Sequence, residues 1–172
     1  MVHSLHDIFD ELKKNNAVLV TAESLTGGLI AERITAVPGA SEVFWGGWVT
    51  YSEQAKQQMI GVPQTVLQQF GAVSCQTAAA MAEGALTTLT GRIHSPCYAL
   101  AVTGLAGPSG GTEAVPVGTV CIACAGNAGT LTVDTKKCVF AGTRAEIRDQ
   151  TYNAAMDMLM QLLDKIKNKG IQ

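Results

Sequence analysis

Cys97-Tyr98-Ala99-Leu100-Ala101-Val102, followed by Thr103-Gly104-Leu105-Ala106-Gly107-Pro108-Ser109-Gly110-Gly111-Thr112, sets the fold class. The first six residues form a short apolar run suited to a buried strand. Four glycines and a proline in the next ten cannot continue that strand, so the chain turns at its carboxyl end. A glycine loop there leaves backbone N–H groups free of side-chain cover, which suits a phosphate or a carboxylate. It is equally what a long surface turn requires. An earlier stretch repeats the arrangement. Ala17 to Ala22 reads as a strand buried on both faces and runs into Glu23-Ser24-Leu25-Thr26-Gly27-Gly28, after which a helix carries Leu29, Ile30 and Ile34. In open α/β sheets, ligands collect at the carboxyl edge of the strands.

Working outward, Leu5, Ile8, Phe9 and Leu12 recur at helical spacing, with Ser4 and Asp7 as a capping pair and an end near Asn15-Asn16. Val37-Pro38-Gly39-Ala40-Ser41 is a turn. Val43 to Thr50 is β-rich, and its Gly46-Gly47 pair between Trp45 and Trp48 marks a bulge. Ser52 is placed to cap a helix that carries Lys56 on its first turns, with Tyr51 just ahead. Gly61-Val62-Pro63 breaks that helix, and a short one ends at Phe70-Gly71. Cys75 to Thr90 reads as a helix whose inward stripe is mostly alanine. Val117 to Ala125 and Thr130 to Phe140 are strands joined by Gly126-Asn127-Ala128-Gly129, and a helix from Arg144 to about Lys167 closes the chain. The order implies one α/β domain over residues 1–172, a mixed central β-sheet with helices on both faces.

Composition narrows the function classes. With 172 residues, 47% of them apolar and 15% charged, the chain is long enough and apolar enough for one substantial core. A net charge of −2 and 5% aromatics give neither a basic field nor a base-stacking platform, so nucleic acid is not an expected partner. Five cysteines scattered through apolar segments suggest reduced thiols in a cytoplasmic protein. Cys121-Ile122-Ala123-Cys124 spells C-x-x-C inside a strand, where positions three apart face opposite ways, so zinc or redox chemistry is not expected. Met1 to Asn16 has no signal-peptide apolar stretch and no run is long enough to span a bilayer, so no membrane association is expected.

Ser24, at a strand end before glycines, is placed like an exposed nucleophile, although capping a helix is the commoner fate of such a serine. A nucleophile needs a base. His3 and His6 lie on the first helix and His94 in a loop with Ser95-Pro96, none of them in a glycine turn. A lysine base is the leading option, and Lys56 is a candidate if burial loosens its proton. Tyr51 either orients a proton or is a packed residue with a satisfied hydroxyl. Arg144 and Arg148, four apart on one helix, either point at one anion or bridge to Glu146 and Asp149. No histidine and carboxylate cluster has metal-ligand spacing, and no metal or other cofactor is expected.

Ala22-Glu23-Ser24-Leu25-Thr26-Gly27-Gly28, Val37-Pro38-Gly39-Ala40-Ser41, Thr50-Tyr51-Ser52 with Lys56, Thr103-Gly104-Leu105-Ala106-Gly107-Pro108 and Pro116-Val117-Gly118-Thr119 together resemble the CinA carboxyl-terminal domain family. Its enzymatically defined members are nicotinamide-nucleotide amidases of the PncC type. The resemblance covers nearly the whole chain, with the motifs in order.

It implies hydrolysis of the carboxamide of nicotinamide mononucleotide to nicotinate mononucleotide and ammonia, in pyridine-nucleotide salvage, by a metal-independent serine mechanism. By the same resemblance Ser24 is the nucleophile, activated by Lys56 with Tyr51. Thr26, Gly27 and Gly28 would donate to the tetrahedral intermediate. Thr103, Gly104, Ala106, Gly107, Gly110, Gly111 and Arg144 would hold the nucleotide, with Ser41 close by. A homodimer or higher homo-oligomer is implied. Two positions depart from the family: Ser109 where glycine is usual, and Val115 where a lysine commonly precedes Pro-Val-Gly. The resemblance does not extend to the family's amino-terminal domain, so no pyrophosphatase activity carries over. The alternative is a nucleotide-binding or interaction module, without turnover, in the competence-associated role that named the family. The Val115 departure also keeps open an amidase for a different small amide.

Overall fold

The structure, a computed structural model, describes residues 4–169. Its first helix, α1 (Leu5–Lys14), begins where Ser4 and Asp7 cap each other, as the spacing predicts. Then come β1 (Val18–Glu23), α2 (Leu29–Thr35), a 3-10 turn at Ala40–Glu42, β2 (Phe44–Val49), α3 (Glu53–Ile60) and α4 (Gln64–Phe70). The remainder is α5 (Cys75–Thr87), β3 (Cys97–Gly104), β4 (Thr119–Gly126), β5 (Thr132–Val139) and α6 (Arg144–Lys169).

The strands form one sheet in the order β2-β1-β3-β4-β5, with β1 parallel to β2 and β3, and β4 and β5 joined antiparallel. The expected mixed sheet with helices on both faces is what forms. Alternation along each strand divides the core into two layers. Leu19, Leu100, Val102 and Ile122 face α1, α2 and α6, through residues such as Ile8, Ile30 and Leu159. Val20, Ala22, Ala99, Ala101 and Ala123 face the other way, against Ile60, Leu67, Met81 and the alanines of α5. Small residues on both sides of that second layer let α5 lie close on the sheet. Gly84 brings α3 into the same layer, because a Cβ there would collide with the carbonyl oxygen of Ile60, the last residue of α3.

Several sequence expectations shift in detail. The bulge in β2 is real, but the extra residue is Trp45: Leu19 pairs with Phe44 and Val20 with Gly46. The offset lets Trp45 and Trp48 stack, with ring centroids 6.1 Å apart. Helix α5 stops at Thr87, three residues short of the expected end, and 88–90 continue as turns. Cys121 and Cys124 belong to opposite core layers, as period-two alternation requires. All five cysteines are free, and among the described residues no group of three His, Cys, Asp or Glu could hold a metal. No described helix is long and apolar enough to cross a membrane.

Candidate active site

Strand β1 lies between β2 and β3. The chain leaves β1 through α2 on one face and reaches β3 after α3, α4 and α5 on the other. Parallel crossovers running in opposite directions open a crevice at the carboxyl ends of the strands between them. Ser24 directly follows β1 on one side of that crevice, and the loop from Gly104 to Ser109 follows β3 on the other.

The residues meet in a cleft of about 320 Å³. Ser24, Leu25, Tyr51, Glu53 and Lys56 line one side, Thr103 to Gly107 with Ser109 the other; Ala72, Val73 and Arg144 complete it. Lys56 is 1% exposed although it sits on a short polar helix. Ser52 caps that helix by accepting the Ala55 N–H at 3.0 Å, so Lys56 falls on the turn that faces the sheet. Its Nζ donates to Ser24 Oγ at 2.9 Å and to the Thr50 carbonyl oxygen at 2.9 Å. Burial pulls the ammonium pKa down from 10.5 to about 8, against a smaller opposing pull from the Glu53 carboxylate. Roughly one molecule in ten then holds a neutral amine at pH 7. A neutral amine at that distance accepts the serine proton.

Arg144 spans the cleft. Its Nη1 donates to the Gly107 carbonyl oxygen and its Nη2 to the Tyr51 hydroxyl, each at 2.9 Å. Thr103 Oγ1 donates to the Ala72 carbonyl oxygen at 2.7 Å, which fixes the wall between α4 and α5. No described hydrogen bond uses the N–H of Leu25, Ala106 or Gly107, three residues that line the cleft.

Other expected residues lie elsewhere. Gly27 donates its N–H to the Ser24 carbonyl at 3.1 Å and Gly28 to the Glu23 carboxylate at 2.9 Å, while the Thr26 side chain is buried. None of the three lines the cleft. The two glycine N–H groups are engaged in building the turn, and the Thr26 hydroxyl is buried without a hydrogen-bond partner among the described residues. Gly110 and Gly111 fall outside the lining; a Cβ on Gly111 would press on the Val117 backbone, so that glycine serves packing. Ser41 is on the 3-10 turn before β2, at the amino end of the parallel strands, so within this chain it is a sheet's length from Ser24. Tyr51 lines the cleft, but its hydroxyl bonds to Arg144 rather than to Lys56 or Ser24. Arg148 does not share an anion with Arg144, since its Nε and Nη2 both donate to the Thr26 carbonyl oxygen. Neither arginine forms the surface bridges weighed above: Glu146 caps Thr143, and Asp149 pairs with Arg33. Of the two departures, Ser109 lines the cleft and Val115 does not. His6 and His94 are absent from the lining, and His3 lies outside the described residues.

Sequence reasoning missed Glu23, Glu53, Ala72 and Val73. The signal for Glu23 was a carboxylate ending an otherwise apolar strand, where burial demands partners. Ala72 and Val73 carry no chemistry and reach the cleft only through the packing of α4 and α5. A larger hollow, about 640 Å³, lies between α3, α4 and α5; its lining holds no serine, cysteine, lysine or histidine.

Comparison with known proteins bears on this geometry. A family model described as the CinA C-terminal domain matches residues 3–163. A nicotinamide-nucleotide amidohydrolase PncC from Pseudomonas putida is 44% identical over 89% of this chain and 91% of its own length. A CinA-like protein from Solibacter usitatus is 47% identical over 86% of this chain but only 34% of its own length. The chain thus spans about a third of such CinA-like relatives. Among solved structures, the competence/damage-inducible protein CihA from Agrobacterium tumefaciens superposes with a TM-score of 0.82 at 40% identity, over 92% of each chain.

Proposed function

The chain belongs to the CinA C-terminal domain family, and from that premise we propose that it is a nicotinamide-nucleotide amidohydrolase. It hydrolyses the carboxamide of nicotinamide mononucleotide to nicotinate mononucleotide and ammonia. The observation that carries this reading is the 2.9 Å contact between Lys56 Nζ and Ser24 Oγ in a cleft of ligand size. The name of the Pseudomonas putida relative supports the substrate class.

The neutral amine of Lys56 removes the Ser24 proton as Oγ attacks the carboxamide carbon. The carbonyl π electrons move onto oxygen, and the N–H groups of Leu25, Ala106 and Gly107 are the uncommitted donors within the cleft for that oxyanion. The Lys56 ammonium protonates the departing nitrogen, which leaves as ammonia and frees an acyl-serine. Water, deprotonated by the same amine, attacks the ester; the proton returns to Ser24 Oγ and nicotinate mononucleotide is released. The Thr50 carbonyl oxygen holds Lys56 in place through both steps. Arg144 binds the nucleotide phosphate, exchanging the Tyr51 hydroxyl or the Gly107 carbonyl for phosphate oxygens.

Ammonia release from nicotinamide mononucleotide, its riboside and free nicotinamide tests the reading. Turnover of the mononucleotide that disappears in Ser24→Ala is expected. Binding of the nucleotide without ammonia release by the wild-type chain would establish a binding module instead.

A further inference from the structure

Glu23 ends β1 one residue before Ser24, is 1% exposed, and has no part in the chemistry above. Its Oε2 accepts the N–H groups of Gly28 at 2.9 Å and Ile30 at 3.1 Å, and its Oε1 accepts that of Ala31 at 2.8 Å. These are donors that the start of a helix leaves without partners. Helix α2 begins on Gly28, which has no side chain to cap it, so a carboxylate five residues upstream does so. A serine or aspartate at position 28 would cap the helix locally. Capping from Glu23 does something a local cap cannot: it ties the end of the strand to the start of the helix, across the turn that carries Ser24.

The rest of that turn is fixed as well. Ser24 N–H donates to the Val102 carbonyl at 3.0 Å, and Gly27 N–H donates back to Ser24. The Thr26 carbonyl oxygen accepts from Leu29 N–H at 3.2 Å and from the Arg148 guanidinium. Neither Glu23 nor Arg148 lines the cleft.

We propose that Glu23 and Arg148 are positioning residues: they lock the Ser24–Gly28 turn from behind and so hold Ser24 Oγ within proton-transfer reach of Lys56. The proposal rests on Ser24 being the nucleophile. Glu23 is not among the groups that set the Lys56 pKa, so its loss should change rate without moving the pH midpoint. Displacements of about an ångström at a reacting centre cost about 100-fold in rate.

The test uses the full chain with Glu23→Gln and Arg148→Met. Each is treated with a fluorophosphonate, which adds phosphorus to Ser24 Oγ, expels fluoride and passes the serine proton to Lys56. Rates are normalised to folded protein by circular dichroism, and kcat and KM for nicotinamide mononucleotide are measured alongside. Phosphonylation and kcat are expected to fall together, about 10- to 100-fold, with KM within about twofold and an unchanged pH midpoint. Arg148→Lys, which keeps one donor for Thr26, should recover part of the loss. Rates within about threefold of wild type per folded molecule would overturn the proposal, as would a loss confined to KM or one accompanied by a shifted midpoint. If Glu23→Gln does not fold, Arg148→Met decides alone. A wild-type chain phosphonylated at Ser24 that releases no ammonia would sink the amidase reading and leave the positioning comparison intact. A wild-type chain not phosphonylated at Ser24 would overturn both.

Discussion

Two glycine turns at adjacent strand ends look alike in sequence and do opposite things. In the turn after β1 the start, Ser24 and Leu25, faces the cleft, while the glycine end is engaged: Gly27 and Gly28 donate to Ser24 and Glu23, and Thr26 accepts from Arg148. The turn after β3 leaves the Ala106 and Gly107 N–H groups without protein partners in the wall of the cleft. The glycines of the first turn build a mount for Ser24, and in the proposed reaction those of the second border the ligand. Glycine serves the mount by adopting positive φ, at +60° for Gly27 and +97° for Gly28. It serves the ligand surface by letting backbone approach whatever binds. Glycine content therefore locates a turn without saying which way its N–H groups are used; the buried carboxylate beneath the first turn decides that.

The largest effects should come from breaking the mount's cargo. Ser24→Ala and Lys56→Met should each lower kcat by about 10⁴-fold or more, because a nucleophile and its base act as a unit. Ammonia release measured at saturating nucleotide checks this, and circular dichroism should show both variants folded. In the wild type, kcat/KM should rise with pH and level off above about 8, where the buried amine becomes neutral.

Lys56 also costs stability, which sharpens the comparison thermodynamically. Its pKa is about 8 when folded and about 10.5 when unfolded. Below pH 8 both states are protonated and the full burial penalty applies. Between pH 8 and 10.5 the unfolded chain binds the extra proton, so rising pH stabilises the fold by up to about 3 kcal/mol. Cysteines act in the opposite sense there, since burial raises the pKa of Cys121 to about 12 and also raises that of Cys97. The wild-type stability minus that of Lys56→Met isolates the lysine. By urea unfolding that difference should climb from pH 8 to pH 10; a flat difference would mean the ammonium is not penalised by burial.

Arg144→Ala addresses the other turn. Loss of a charged contact to phosphate should raise KM about 10- to 100-fold while kcat changes little. A fall in kcat at constant KM would instead assign Arg144 to the transition state.

The fold was legible because its determinants are local. Ser4 with Asp7, Ser52 with Ala55, and the alternation of Leu19 and Val20 between two core layers each act within a few residues. The family likeness read from the motifs was met by the CinA model over residues 3–163. The meeting of Ser24 with Lys56 was legible only as a candidate pair, because 32 residues separate them and the sheet brings them together. The fate of Arg148 was not legible. Helical spacing groups it with Arg144, yet its guanidinium reaches the Thr26 carbonyl, 122 residues away. Ser41 shows the same limit in reverse, since its turn lies at the other end of β2 from Tyr51, and distance along a chain says little about which end of a strand a loop occupies.

The smallest effect is the most direct test of the two-turn contrast. Gly27→Ala introduces a side chain with nothing within 4 Å, so its cost is the positive φ alone, about 1 kcal/mol. With its N–H pointing into the turn and not the cleft, KM should remain at the wild-type value. Gly107→Ala has a similar φ of +72°, but its Cβ would stand 2.5 Å from Val117 Cγ1. The loop must yield there, and the Gly107 carbonyl that Arg144 holds moves with it. A comparable strain should then appear as a KM several-fold higher for Gly107→Ala, with Gly27→Ala unchanged, in the same ammonia-release assay. Equal KM increases in both variants would mean that the glycine end of the first turn also touches the nucleotide, and the division between mount and ligand surface would fail.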